Sequence, residues 1–328
     1  VKVLLAHTPE MRRNYYGDRS LSGLRAIADV ILHEDDRALD AASLVNAAKD
    51  ADIIVADRMT EGRGEIFAQL PRLRAFVRCA VDIRNVDVDA ASQAGVLVTR
   101  AGPGFVQAVA ELAVGFMVDL SRGVSRASAD YHAGRKPEAR MGRQLAGGTI
   151  GIIGYGSIGR YLAEIAKVMR MEVLVSDPFA DVSDGAIKQL GLDELLAASD
   201  YVVCLAIANE QTEKMIGEAA LARMQKHAVF INLSRGNLVD EAALAKALLE
   251  NRIAGVAMDV GRAPDQMPTP ELAKLPNVVA TPHVGGLTPQ AIEYQSLETV
   301  RQVNAIIKGE APQGAVNADR WTRRPGMK

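Results

Sequence analysis

The stretch Thr149-Ile-Gly-Ile-Ile-Gly-Tyr-Gly-Ser-Ile-Gly159 constrains this chain more than any other. Residues 150–153 are a short apolar run of the kind that makes a buried strand, and 160–169 have the composition of a helix. Between them stands Gly-x-Gly-x-x-Gly, with the strand before and helix after that the motif requires. Gly154 permits the tight turn, Gly156 lets the backbone approach a diphosphate, and Gly159 lets helix and strand pack closely. Ser157 and Ile158 complete a loop whose N–H groups sit at the positive end of the helix, where a diphosphate is stabilised. A second apolar run, 172–176, ends in Asp177, roughly twenty residues past the motif, where an acid accepts from ribose hydroxyls. The same charge repels a 2′-phosphate, so NAD is expected over NADP. A plain glycine-rich turn is the competing reading, and strand, helix, second strand and acid in register argue against it.

The rest of the composition narrows the field. At 328 residues the chain can hold two domains, and it should bury roughly three quarters of its unfolded surface. Its 38 basic and 40 acidic residues leave a net charge of −2, so no global field favours nucleic acid or an anionic membrane. No apolar run approaches the length of a spanning helix. Residues 1–6 are too short for a signal peptide and read as a first strand. The two cysteines, Cys79 and Cys204, each lie in or beside an apolar run, which suits small core residues better than a disulfide. A soluble cytoplasmic protein with no metal site is the expectation.

Strands and helices alternate from the start. Apolar runs at 3–6, 53–56, 75–77 and 95–98 read as strands, with helical segments at 41–48, 64–69 and 86–94. Such alternation makes a parallel sheet covered by helices on both faces. A long polar stretch, 8–21, shows no clear boundaries. Gly102-Pro-Gly104 is a break, after which Phe105, Val106, Val109, Leu112, Ala113, Phe116, Met117 and Leu120 recur at helical spacing. Residues 121–148 read as a second helix and an exposed loop. Past the glycine motif come strands at 201–205, 228–232, 255–259 and 278–280, a proline-rich loop at 262–276, and a helix at 289–307. From Gly309 on, a weakly ordered tail is expected. The domains expected are 1–100 with 287–328 for substrate, and 101–286 for the nucleotide. Ligands of such folds bind beyond the carboxyl ends of the strands, here in a cleft between domains.

Two further stretches carry chemistry. In Phe230-Ile-Asn-Leu-Ser-Arg-Gly-Asn-Leu-Val-Asp-Glu241 a strand runs into Arg235, whose fork of donors suits a carboxylate. The alternative is a surface arginine that caps a helix or pairs with an acid. In Val279-Ala-Thr-Pro-His283-Val-Gly-Gly-Leu-Thr-Pro289 a histidine again follows a strand, placed to act as general acid or base. A structural histidine is the alternative there.

With these blocks in view, the chain resembles the D-isomer-specific 2-hydroxyacid dehydrogenase family. The likeness rests on Gly154, Gly156 and Gly159 with Asp177, Asn232-Leu-Ser-Arg-Gly236 with Leu238-Val-Asp-Glu241, Gly255-Val-Ala-Met-Asp259-Val, and Leu275-Pro-Asn-Val with Thr281-Pro-His283-Val-Gly-Gly. It implies a Rossmann-type doubly wound nucleotide-binding domain plus a smaller flavodoxin-like α/β substrate domain. The cofactor implied is NAD, the substrate a D-2-hydroxy acid or the matching 2-oxo acid, and the assembly a homodimer formed through the nucleotide domains. By the same resemblance Arg235 binds the substrate carboxylate and polarises the oxo group, and His283 gives or takes the hydroxyl proton. Asp259 bonds the nicotinamide carboxamide, and Thr212 and Leu233 lie on the cofactor side. Backbone N–H groups around Ala80, Val81 and Asp82 hold the carboxylate.

The chain departs from the family pattern at three places. The glutamate that usually pairs with the histidine falls, counting from Asp259 to His283, on Pro264, leaving the neighbouring Asp265 as the candidate partner. Asp82 stands where a glycine is usual in the carboxylate loop, an extra anion unless its side chain points away. Leu205-Ala-Ile207 replaces His-Leu-Pro on the adenine side. These departures keep two other readings open, a catalytically weak NAD(H)-sensing protein and a family dehydrogenase with an atypical substrate.

Overall fold

The computed structural model describes residues 1–326. Its internal packing divides the chain into two compact units, one made of Val1–Gly104 with the chain from Pro289 on, the other of Phe105–Thr288.

In the first unit five parallel strands, β1 (Lys2–Leu5), β2 (Asp29–Leu32), β3 (Ile53–Ala56), β4 (Ala75–Arg78) and β5 (Leu97–Arg100), lie in the order β2-β1-β3-β4-β5. This is the flavodoxin-like order. The inner strands β3 and β4 are buried along their whole length, which is why they read as continuous apolar runs. The polar stretch 8–21 resolves into helices Pro9–Tyr15 and Asp18–Arg25, split by Gly17 at φ +79. Thr8 caps the first, its hydroxyl accepting from the Met11 amide at 3.2 Å.

One strand of this unit was missed and one expectation fails. Edge strand β2 was not read from the sequence: its apolar run, 30–32, is only three residues long and none of them is fully buried. The described residues after Gly309, 310–326, are not a loose tail. Val316 donates to Val98, the buried Asn317 side chain bonds the Val98 amide and the Val96 carbonyl, and Trp321 is 4% exposed with its indole N–H on the Arg74 carbonyl at 3.0 Å. These contacts join residues far apart in sequence and leave no local period to read.

In the second unit seven parallel strands, β6 (Thr149–Ile153), β7 (Glu172–Ser176), β8 (Ile187–Gln189), β9 (Tyr201–Cys204), β10 (Val229–Asn232), β11 (Gly255–Met258) and β12 (Val278–Ala280), run in the order β12-β11-β10-β9-β6-β7-β8. Read from β6, the sheet is doubly wound and reverses between β6 and β9, the switch point at which dinucleotides bind. Helix Val106–Arg122 buries Val109, Ala110, Ala113, Phe116 and Met117 against this unit's core. Edge strand β8, three residues with two exposed, has no counterpart in the sequence pattern. Within the proline-rich stretch a one-turn helix, Pro270–Ala273, replaces part of the expected loop. Among the described residues no helix is long and apolar enough to cross a membrane.

Candidate active site

The dinucleotide loop is built by contacts that need glycine. Gly154 turns the chain at φ +95, and a side chain there would sit 2.7 Å from the Leu205–Ala206 backbone at the end of β9. Gly159 packs directly on the Gly154 carbonyl. Above Gly156 a Cβ would meet nothing within 4 Å, so the N-terminus of helix Ser157–Val168 is open to an approaching anion. The Asp177 carboxylate accepts from the Tyr155 amide at 2.7 Å and the Phe179 amide at 2.9 Å. It therefore ties the glycine loop to the end of β7 and keeps lone pairs for hydroxyl donors. A free helix end, space above the loop and an acid at the next strand fit NAD. Ile158 packs against the core and Leu233 lies within it. Thr212 closes the turn after β9, its hydroxyl donating to the Ile207 carbonyl at 2.8 Å.

Arg235, Asp259 and His283 follow β10, β11 and β12, three neighbours in the sheet. The buried Asn232 fixes the first turn, its amide donating to the Arg235 carbonyl at 3.0 Å and its oxygen accepting from the Ser234 amide at 3.1 Å. Gly236 then lies backbone to backbone on Gly261, which locks the β10 and β11 loops together. The Arg235 guanidinium is half-buried and donates from Nη1 to the Ser234 carbonyl at 2.7 Å.

His283 occupies the left-handed region at φ +55, a conformation that costs a non-glycine residue about 1 kcal/mol. Asp259 holds it there. The Asp259 carboxylate, 3% exposed, accepts from the Thr281 hydroxyl at 2.6 Å, the Val284 amide at 2.8 Å and the Gly285 amide at 2.7 Å. With three protein donors in place, a carboxylate has room for about one more, so the carboxamide contact implied by the family resemblance is at most a fourth bond. Holding the histidine loop is a role the sequence did not reveal.

The structure brings the main chain of Asp265 to His283. Its Nδ1 lies 3.0 Å from the main-chain carbonyl of Asp265. Pro264 stands where the family places glutamate, and Asp265 and Gln266 both turn left-handed, at φ +57 and +59, which brings the carbonyl to the imidazole. A carbonyl only accepts, so Nδ1 carries the hydrogen, which leaves Nε2 as the ring nitrogen able to exchange a proton with a substrate. Asp265→Asn keeps that carbonyl, and its pH profile of kcat/KM for reduction should superimpose on the wild-type profile. A displaced profile would show that the side chain tunes the histidine.

In the first unit Ala80, Val81 and Asp82 form the loop after β4. The extra anion expected at Asp82 is offset, because Arg84 donates to it from Nε at 3.0 Å and Nη2 at 2.5 Å. Arg78 passed unnoticed in the sequence. It is fully buried, donates to the Asp57 carbonyl and to the Asn85 side chain, and burial pushes its pKa down to about 10. Asn85 donates in turn to the Arg58 carbonyl at 3.1 Å. Arg78 thus stitches the loops after β3 and β4. Its one sequence signal was a charge closing an otherwise apolar strand. Cys79 and Cys204 are buried and free, with thiols pushed up to about 12 by burial. No cluster that could hold a metal ion exists among the described residues.

Fold and site define a class, an NAD-dependent oxidoreductase with a doubly wound nucleotide unit. The family model described as "D-isomer specific 2-hydroxyacid dehydrogenase, NAD binding domain" matches residues 114–285. The chain is 33% identical over 313 residues to a glyoxylate reductase of Pyrococcus furiosus, covering 91% of this chain and 92% of that one. It is 31% identical over 279 residues to a D-3-phosphoglycerate dehydrogenase of Methanocaldococcus jannaschii, covering 84% of this chain and 53% of the relative, about half its length. Among solved structures, the NAD-complexed D-isomer specific 2-hydroxyacid dehydrogenase of Lactobacillus delbrueckii ssp. bulgaricus matches with a TM-score of 0.81 at 26% identity, covering 97% of this chain and all of that one. The chain belongs to the D-isomer specific 2-hydroxyacid dehydrogenase family.

Proposed function

We propose that this protein interconverts a small 2-oxo acid and the D-2-hydroxy acid. Bound NADH supplies the hydride and NAD accepts it. Arg235 binds the substrate carboxylate and stabilises charge developing on the C2 oxygen, while His283 Nε2 gives or takes the hydroxyl proton. N–H groups at Ala80, Val81 and Asp82 add donors for the carboxylate. The observation that carries this reading is the bond from His283 Nδ1 to the Asp265 carbonyl, which fixes the tautomer that an acid/base residue needs. Glyoxylate heads the substrate candidates because the Pyrococcus furiosus relative is a glyoxylate reductase. A panel of 2-oxo acids with NADH tests the assignment. Consumption with at least one, abolished in His283→Asn, is expected, whereas NADH binding without turnover would favour the NAD(H)-sensing reading.

Cofactor choice rests on Asp177. NADH is expected to be preferred over NADPH by on the order of 100-fold or more, since a carboxylate facing a 2′-phosphate costs about 3 kcal/mol. Asp177→Asn should reduce that ratio at least roughly tenfold, although losing part of the bond to Tyr155 weakens both cofactors. Comparable KM values for NADH and NADPH in the wild type would remove Asp177 from this role. A homodimer through the nucleotide unit and a cytoplasmic location complete the proposal. They are supported by the exposed Val118, Val124, Tyr131 and Met141 on that unit and by the two free cysteines.

A further inference from the structure

At the amino ends of β3 and β4, the opposite edge of the first unit's sheet from the Ala80 loop, three guanidinium groups surround one carboxylate. Arg72 and Arg74 come from the connection into β4, and Arg323 arrives from the carboxyl-terminal segment. With Asp52 and Pro71 they line an open hollow of about 340 Å³. Asp52 already accepts the Lys2 amide at 2.9 Å. It stands 3.6 Å from Arg72 and 3.7 Å from Arg74, beyond hydrogen-bond reach. One carboxylate against three cations leaves two positive charges in excess.

Arg323 is held in place. Its Nη1 donates to the Leu70 carbonyl at 2.6 Å and the Leu73 carbonyl at 2.9 Å, and its amide donates to the Gly95 carbonyl at 3.0 Å. Burial lowers its pKa from the ordinary value, a desolvation cost that an incoming anion would offset. One fixed planar fork beside two further guanidinium groups, with surplus positive charge, suits an oxyanion with several acceptor oxygens. We propose that this hollow binds a dianionic phosphoryl group, free or as a phosphomonoester, at a site separate from the glycine loop.

Trp321 is the chain's single tryptophan, and its indole N–H rests on the Arg74 carbonyl, so its emission reports on the hollow. The full chain, saturated with NAD to occupy the dinucleotide site, is titrated with inorganic phosphate and separately with glycerol phosphate, against sodium chloride at matched ionic strength. A saturable emission change with both phosphates, but not with chloride, is expected. Arg72→Gln, at a 59% exposed side chain, should fold normally, keep its NADH turnover and bind phosphate at least roughly tenfold more weakly. Response to phosphate but not to glycerol phosphate would restrict the site to the free ion. Equal response to chloride, or wild-type phosphate affinity in both Arg72→Gln and Arg323→Gln, would overturn the proposal.

Discussion

Arg235→Lys is expected to lower kcat/KM for 2-oxo acid reduction about 100-fold, the equivalent of roughly 3 kcal/mol and two charge-assisted hydrogen bonds. NADH affinity should stay within a few-fold. The physical reason is geometric. The guanidinium is a planar fork positioned by a turn that Asn232 holds from both sides and by the Gly236–Gly261 backbone contact. An ammonium brings the same charge with no fork, and so cannot meet a carboxylate two-pronged. Steady-state kinetics with NADH and a 2-oxo acid, together with direct NADH titration, check both halves of this expectation. Near-normal turnover in Arg235→Lys would mean that another cation anchors the carboxylate.

Asp259→Ala should have the larger effect on stability. It removes the acceptor of two amides and a hydroxyl in a buried place, each costing about 1–3 kcal/mol when left unpaired. A net loss of about 3 kcal/mol corresponds to a Tm lower by roughly 6–12 °C for a domain of this size. The same substitution frees His283 from its left-handed conformation, so kcat should fall at least roughly tenfold in protein that remains folded at the assay temperature. Asp259→Asn retains one acceptor oxygen and should lie between. Thermal unfolding and kcat measured on the three proteins test the account. An Asp259→Ala variant with wild-type Tm and kcat would show that the loop is held by other contacts.

How much of this could be read from the sequence depended on how local each signal was. The inner strands of both sheets are buried on both faces and so form uninterrupted apolar runs, as 53–56 and 150–153 do. The glycine loop and Asp177 are tied to those strands by short range in sequence, and the whole unit can be recognised from one stretch. Edge strand β8 buries one of its three residues and leaves no apolar run, and β2 offers only the short run 30–32, none of it fully buried. Asn317 and Trp321 are buried through partners more than two hundred positions away, which no periodicity records. At the active site the residue types were legible and the bonds were not. Arg235 and His283 stood out because they follow strands. The tasks of Asp259 and of the Asp265 carbonyl depend on left-handed turns at His283, Asp265 and Gln266 that composition does not announce. Arg78 passed unnoticed because its partners, the Asp57 carbonyl and Asn85, come from the loops after two different strands.

The central claim is that this chain moves a hydride between nicotinamide C4 and C2 of a 2-oxo acid, with Arg235 and His283 acting on the substrate. The most direct measurement follows deuterium from C4-deuterated NADH into the product of whichever 2-oxo acid is turned over, with the product's configuration read on a chiral column. The account predicts deuterium at C2 of the D-hydroxy acid, and no labelled product from His283→Asn. Cofactor consumption without label at C2, or a product of the L configuration, would contradict it.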